Sequence, residues 1–145
     1  MSQIRPATIA DSGAIARLNR EDLGYDYPET LTKAKLARIL QDPAFRVWVA
    51  ELDGQVVGYV QAEDYDALYE PHMKNILGIA VRHAFHGQGI GRALLNQVEE
   101  WARTTDAAAV RLVSRDTRTE AHAFYRHCGY TAEKTQLNFK KHLKS

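Results

Sequence analysis

The chain has 145 residues, 45% of them hydrophobic, 26% charged and 9% aromatic, which fits one soluble globular domain over residues 1–145 and excludes disordered, collagenous and coiled-coil chains. Lys plus Arg at 19 against Asp plus Glu at 18 leaves a formal net charge of +1, too small for the long-range field that gathers nucleic acid or an anionic membrane, so neither is an expected partner. Cys128 is the only cysteine, which rules out an intramolecular disulfide and a cysteine-rich zinc site; no apolar run resembles a signal peptide or approaches the roughly 20 residues of a membrane helix, so a cytoplasmic location is expected.

In chain order, a short strand is expected at Gln3 to Pro6. A helix follows, capped by Asp11, with Ile15 and Leu18 on one face. A second helix begins after Thr30, uses Leu31, Leu36, Ile39 and Leu40, and stops before Pro43. The aromatic, acidic loop Gly24-Tyr25-Asp26-Tyr27-Pro28 joins the two. Phe45 to Glu51, Asp53-Gly54 and Gln55 to Gln61 read as an antiparallel hairpin, because Asp-Gly tolerates the positive φ angles of a tight turn. Ile76 to Val81 reads as a strand buried on both faces, in which Gly78 signals a bulge or a close approach by another group. Ile90, Leu94, Leu95, Val98, Trp101 and Ala102 share one face of a helix from about Gly89 to Thr104. A buried strand over Ala109 to Val113 then makes a crossover unit, which is right-handed if its strands are parallel. A last helix from about Thr119 to Cys128 ends at Gly129, and Tyr130 to Phe139 is expected to close the sheet. The fold class is mixed α/β.

The most informative string is His86-Gly87-Gln88-Gly89-Ile90-Gly91-Arg92, between a buried strand and the first turn of a long helix. Glycines there let backbone approach a ligand, and the unpaired amides and dipole of a helix start favour anions, with Arg92 adding a cation; a phosphate or pyrophosphate is the natural guest. No Gly-x-x-x-x-Gly-Lys-Ser/Thr string occurs, which disfavours NTP hydrolysis, and Arg92 stands where a dinucleotide fingerprint needs its third glycine.

The string resembles the acetyl-CoA motif Gln/Arg-x-x-Gly-x-Gly/Ala of the Gcn5-related N-acetyltransferase (GNAT) family, with Gly89 and Gly91 matching and His86 in place of the leading Gln or Arg. About thirty residues on, Ala121-x-x-Phe124-Tyr125-x-x-x-Gly129-Tyr130 looks like the family's second motif, Asn-x-x-Ala-x-x-Phe-Tyr-x-x-x-Gly-Phe, with Arg118 where the Asn usually stands. The resemblance implies a single-domain fold with a mostly antiparallel central sheet, one parallel crossover and helices on both faces. It further implies acetyl-CoA as cosubstrate, its pyrophosphate on the amides of His86, Gly87, Gln88, Gly89, Ile90, Gly91 and Arg92, and its pantetheine arm along Ile79, Ala80 and Val81. Arg118, lacking the usual amide, would suit a phosphate instead, and relatives that pair as dimers leave a homodimer open.

Acetyl transfer to an amine needs a deprotonated nitrogen, a polarised thioester carbonyl and a proton for the departing thiolate. The resemblance assigns carbonyl polarisation to backbone N–H groups near Ile79 to Val81 and the proton to Tyr125, in a direct transfer without an acyl-enzyme. Counting back from Val81 puts Asn75 near the position where some relatives carry a glutamate base, and Asn cannot accept the proton; Glu70 and His72 are the nearest titratable alternatives. Tyr25, Asp26 and Tyr27, with Glu29, would suit a cationic acceptor, as carboxylates pair with ammonium and aromatic faces attract cations. His83 and His86 lack the further ligands a metal needs, and Cys128 is assigned to packing, so no metal and no thiol nucleophile are predicted. The expected function is N-acetyl transfer from acetyl-CoA to a primary amine of a small molecule, peptide or protein. A non-catalytic acyl-CoA-binding module is the alternative, separated from it by Tyr125-dependent thiol release; a nucleotide-binding interaction domain would prefer a mononucleotide to CoA.

Overall fold

Asp53 and Gly54 both take positive φ, 51° and 77°, in the computed structural model of the protein, which describes residues 2–144. They form the expected turn between β2 (Phe45–Leu52) and β3 (Gln55–Tyr65), which pair antiparallel. With β1 (Gln3–Pro6), β4 (Met73–Val81) and β5 (Ala109–Leu112) they build a sheet in the order β1-β2-β3-β4-β5. Every neighbouring pair is antiparallel except β4 and β5, the parallel pair at the ends of the crossover. This mixed α/β sheet belongs to a compact unit reaching to Val113.

Alternation along β2 sorts the helices onto opposite faces. Val47 and Val49 join Tyr59 and Ala80 beneath Ile15 and Leu18 of α1 (Ser12–Asp22) and Leu36 and Ile39 of α2 (Glu29–Ile39). Trp48, pointing the other way, meets Trp101 of α3 (Ile90–Thr104) edge-on, ring centroids 6.0 Å apart. All six apolar residues expected on α3 are buried. Lys74 is buried on that face too; its ammonium lies 3.7 Å from the Trp101 ring centroid and pairs with Asp64, whose carboxylate also meets His72 Nε2 at 2.7 Å. A buried lysine is tolerable there because a carboxylate and an aromatic face replace its water.

Four expectations need correction in this unit. The strand over Ala109 to Val113 is not buried as expected: Ala109 and Val113 are exposed and the residues between them half-buried. Asp11 holds the N-cap position of α1 but makes no side-chain capping bond; its carboxylate instead accepts from the Thr8 backbone N–H at 2.8 Å and pairs with Arg5 at 2.9 Å, tying the first strand to the turn. On α2, Leu31 and Leu40 are exposed while Leu36 and Ile39 are buried, so the apolar face is narrower than the sequence suggests. In the expected doubly buried strand, Leu77 is exposed.

The second unit runs from Ser114 onward. Its helix α4 (Thr119–His127) ends as expected at Gly129, φ 94°. The expected closing strand over Tyr130 to Phe139 is not formed: residues 131–144 carry no regular structure, and Leu137, Phe139 and Leu143 are 79%, 87% and 87% exposed. A strand is held by hydrogen bonds to a neighbour as much as by its own pattern, and this segment has no strand partner among the described residues.

Candidate active site

The loop leading into α3 has the geometry of an anion cradle. Gly87 and Gly89 lie in the left-handed region, φ 80° and 82°, and a Cβ at either would meet nothing within 4 Å. Their backbone angle, not crowding, is what asks for glycine. Gly89 is the N-cap residue of α3 and no side chain caps the helix, so the first-turn amides are left for a ligand, beside Arg92 and with no acidic residue in that turn. His86, which replaces the motif's leading Gln or Arg, donates from ring Nε2 to the Val81 carbonyl at 2.7 Å and so ties the loop to the end of β4. Gln88 is exposed at the loop tip.

On β4 the geometry changes at Leu77. The register with β3 runs Val81–Gly58 to Gly78–Gln61, then resumes at Ile76–Ala62, leaving Leu77 as the extra residue of a bulge. Pairing with β5 ends at Ile76–Leu112, so no strand among the described residues lies on that side of Leu77 to Val81. The bulge anticipated from Gly78 is present, but the group that approaches this glycine is a protein side chain: a Cβ there would lie 3.0 Å from the Tyr59 hydroxyl. That hydroxyl donates to Asn19 Oδ1 of α1. Burial is the main cause that pushes the Tyr59 pKa up to about 12, so the phenol stays a donor.

Against the bulge lies a cavity of about 310 Å³, bounded by Leu77 and Gly78, by Tyr59 and Gln61 of β3, and on the helix side by Tyr25, Tyr27 and Lys35. Tyr25 and Tyr27 both line this space. Asp26 is exposed and does not line it, and the Glu29 carboxylate lies over Gly13, where it would collide with any Cβ. One pleat beyond Gln61, on the same face of β3, stands Glu63. Its Oε2 accepts from Asn75 Nδ2 at 2.9 Å, and Asn75 Oδ1 accepts from Arg111 at 2.8 Å. Glu70 lies in the connection between β3 and β4 and is not among the residues around the cavity.

The sequence profile of the Acetyltransferase (GNAT) family matches residues 13–130. The chain belongs to this family. As a GNAT protein it is an N-acetyltransferase that draws on acetyl-CoA. It is 33% identical to an aminoglycoside N(6')-acetyltransferase type 1 of Stenotrophomonas maltophilia, over 97% of this chain and 93% of that one. With an aminoalkylphosphonate N-acetyltransferase of Salmonella typhimurium it shares 29% identity over 97% of this chain and 91% of that one. The solved structure of AAC(6')-Iy in complex with the bisubstrate analog CoA-S-monomethyl-acetylneamine has the same fold, with a TM-score of 0.87 over 98% of this chain and 99% of that one, at 18% identity.

Within the second unit of this GNAT chain, Tyr125 lies on α4 among Phe124 and Tyr130, ring centroids 5.5 and 6.3 Å away. Burial raises its pKa despite the opposing Arg118 guanidinium. Arg118 itself is exposed at the N-cap of α4. Sequence reasoning missed Lys35, Asn19, Tyr59, Gln61 and Glu63. Period-two alternation along Gln55 to Tyr65 carries the one signal that was available, since it places Tyr59, Gln61 and Glu63 on a single face.

Proposed function

We propose that this GNAT chain acetylates the primary amine of a small molecule seated in the cavity against β4. One observation carries the reading: the bulge at Leu77 faces that cavity on the same strand whose open edge, Leu77 to Val81, runs into the uncapped start of α3. The cradle fits a diphosphate, because Gly87 and Gly89 leave its surface clear of side chains and Arg92 supplies a cation. In this reading the amides from His86 to Arg92 hold that diphosphate, and Ile79, Ala80 and Val81 receive the pantetheine arm. The names of the Stenotrophomonas and Salmonella relatives, both of small-molecule amine acetyltransferases, support a small acceptor.

Bound acetyl-CoA supplies a thioester activated towards a nitrogen nucleophile. An alkylammonium acceptor, pKa about 10, must lose a proton before it attacks. Glu63 is the base we propose in place of Glu70, because it shares a sheet face with Gln61 at the cavity and Asn75 holds it in place. The freed nitrogen lone pair forms the N–C bond to the acetyl carbon as the C–S bond breaks. Backbone N–H groups of β4 carry the charge on the carbonyl oxygen, and Tyr125, whose raised pKa keeps the phenol protonated, gives its proton to the departing sulfur and regains, through solvent, the second proton that the nitrogen sheds on becoming an amide. No acyl-enzyme is needed, and nothing in the site favours a merely CoA-binding role. A cytoplasmic location and a homodimer are part of this proposal; no helix among the described residues is long and apolar enough to cross a membrane.

The test is thiol release from acetyl-CoA with a panel of primary amines. Glu63→Gln should lower kcat about 100-fold, while Glu70→Gln stays within about threefold of the parent. Equal losses in the two variants, or none in Glu63→Gln, would remove Glu63 from the mechanism. Absence of thiol release with every amine would remove the transfer itself.

A further inference from the structure

The charge around the cavity runs opposite to the expectation of a cationic acceptor. Among the described residues no carboxylate lines it, and the one charged side chain that does is Lys35 of α2. Its ammonium stands 5.0 Å from the centroid of the Tyr27 ring, also in the lining, and no carboxylate of the described residues pairs with it. The two acids that made a cationic guest plausible are placed elsewhere, Asp26 outside the lining and Glu29 over Gly13. On the sheet side, Glu63 stands two residues beyond Gln61 on the same face of β3, outside the lining. The site is therefore polarised, with a cation and phenols at the helix end and a carboxylate past the opposite wall.

From this we infer that the acceptor is an amine that also carries an anionic group, a carboxylate, phosphonate or phosphate, held by Lys35 with the hydroxyls of Tyr25 and Tyr27, its amino group directed towards Glu63. Thr32 is not part of that anion site, since its hydroxyl already donates to the Pro28 carbonyl at 3.1 Å. Backbone contacts hold the aromatic loop in position. The Tyr25 backbone N–H donates to the Asn19 carbonyl at 2.9 Å, and Gly24 turns the chain out of α1 with φ 78°. A polyamine would place a second ammonium beside Lys35, where like charges repel. The inference rests on reading this cavity as the acceptor site.

The experiment compares 3-aminopropanoate and 2-aminoethylphosphonate with the neutral isostere 3-aminopropanamide and with 1,3-diaminopropane, by thiol release and, separately, by calorimetric binding to the CoA-loaded protein. Parent enzyme should use the anionic amines with kcat/KM about tenfold above the amide, as one charge-assisted contact allows. Lys35→Gln should collapse that ratio towards one, and Lys35→Glu should reverse it in favour of the diamine; melting curves check that both variants fold. Preferential binding of the anionic amines, lost in Lys35→Gln, supports the inference even if no amine is acetylated, a result that would sink the transfer reading alone. Equal or better use and binding of the amide or diamine by the parent overturns it, as does a Lys35→Gln ratio equal to the parent's.

Discussion

At Gly89 the proposed coenzyme A cradle makes a prediction that separates folding from binding. Its φ of 82° is left-handed, and a Cβ would meet nothing within 4 Å, so Gly89→Ala carries a conformational penalty without a clash. That penalty is about 1 kcal/mol, which for a chain of this size lowers Tm by roughly 2–4 °C. Gly89→Glu has the same backbone penalty, but its carboxylate sits over the uncapped amides of α3 and returns about 0.3–1 kcal/mol through the helix dipole. The unliganded Glu variant should therefore be at least as stable as the Ala variant. Coenzyme A reverses the order, because the new carboxylate competes for the same amides and repels the diphosphate. A Kd raised at least 100-fold, about 2.7 kcal/mol, is expected for Gly89→Glu. Calorimetric titration with CoA measures this directly, and melting with and without CoA gives a second reading, since ligand raises Tm only in a protein that binds it. Gly89→Glu binding CoA within about threefold of the parent would refute the cradle. A Gly89→Ala loss above about 4 kcal/mol would refute the claim of open space.

Tyr125→Phe should lower kcat about 100-fold while leaving CoA affinity within about twofold, by steady-state kinetics and titration. Because burial keeps that phenol's pKa above its ordinary value of 10.0, the parent should show no alkaline loss of kcat from this group below about pH 10; a fall near neutrality that the Phe variant abolishes would contradict its role. At Asp64, burial raises the pKa, but the hydrogen bonds from Lys74 and His72 outweigh it and hold the carboxyl below its ordinary value. A depressed carboxyl stabilises the fold above the unfolded value near 3.8 and loses that contribution as pH falls through the folded value. Asp64→Asn should therefore cost about 2 kcal/mol at pH 7, less than a fully buried pair because Asp64 is partly exposed, and should narrow towards the parent on acidification below about pH 4; denaturant titration at pH 7 and pH 3 checks both.

Elements whose own residues encode their geometry were legible in the sequence. Asp53-Gly54 carries its turn in two residues, the six apolar positions of α3 declare a face by spacing, and Gly87 and Gly89 stand where φ must be positive. What escaped depends on neighbours distant in sequence. The space claimed by Gly78 is taken by Tyr59, which only the β3–β4 register brings alongside. Lys35 reads as an ordinary solvated residue of an amphipathic helix until α2 is laid beside the aromatic loop and the sheet. Conversely, the alternation that ends in Leu137 and Phe139 is a strand pattern with no strand partner among the described residues.

The missing acid on β4 is the same kind of problem, and the base we propose follows from register. Asn75 occupies a strand position from which a carboxylate could face the acceptor, and read along one strand the site lacks a base. Across the antiparallel ladder, Asn75 is opposite Glu63, so a carboxylate is supplied on the same face from β3, with Asn75 as the amide that holds it. Arg111, bonded to the Asn75 oxygen, fixes the orientation of that amide: its oxygen is taken by the guanidinium, which leaves its N–H for Glu63. The displacement of the acid from β4 to β3 also sets the direction of the guest. With Glu63 as the proposed proton acceptor on the sheet and Lys35 on the helix side, the proposal has an amine enter nitrogen first towards the sheet, so that whatever it carries behind must suit a cation.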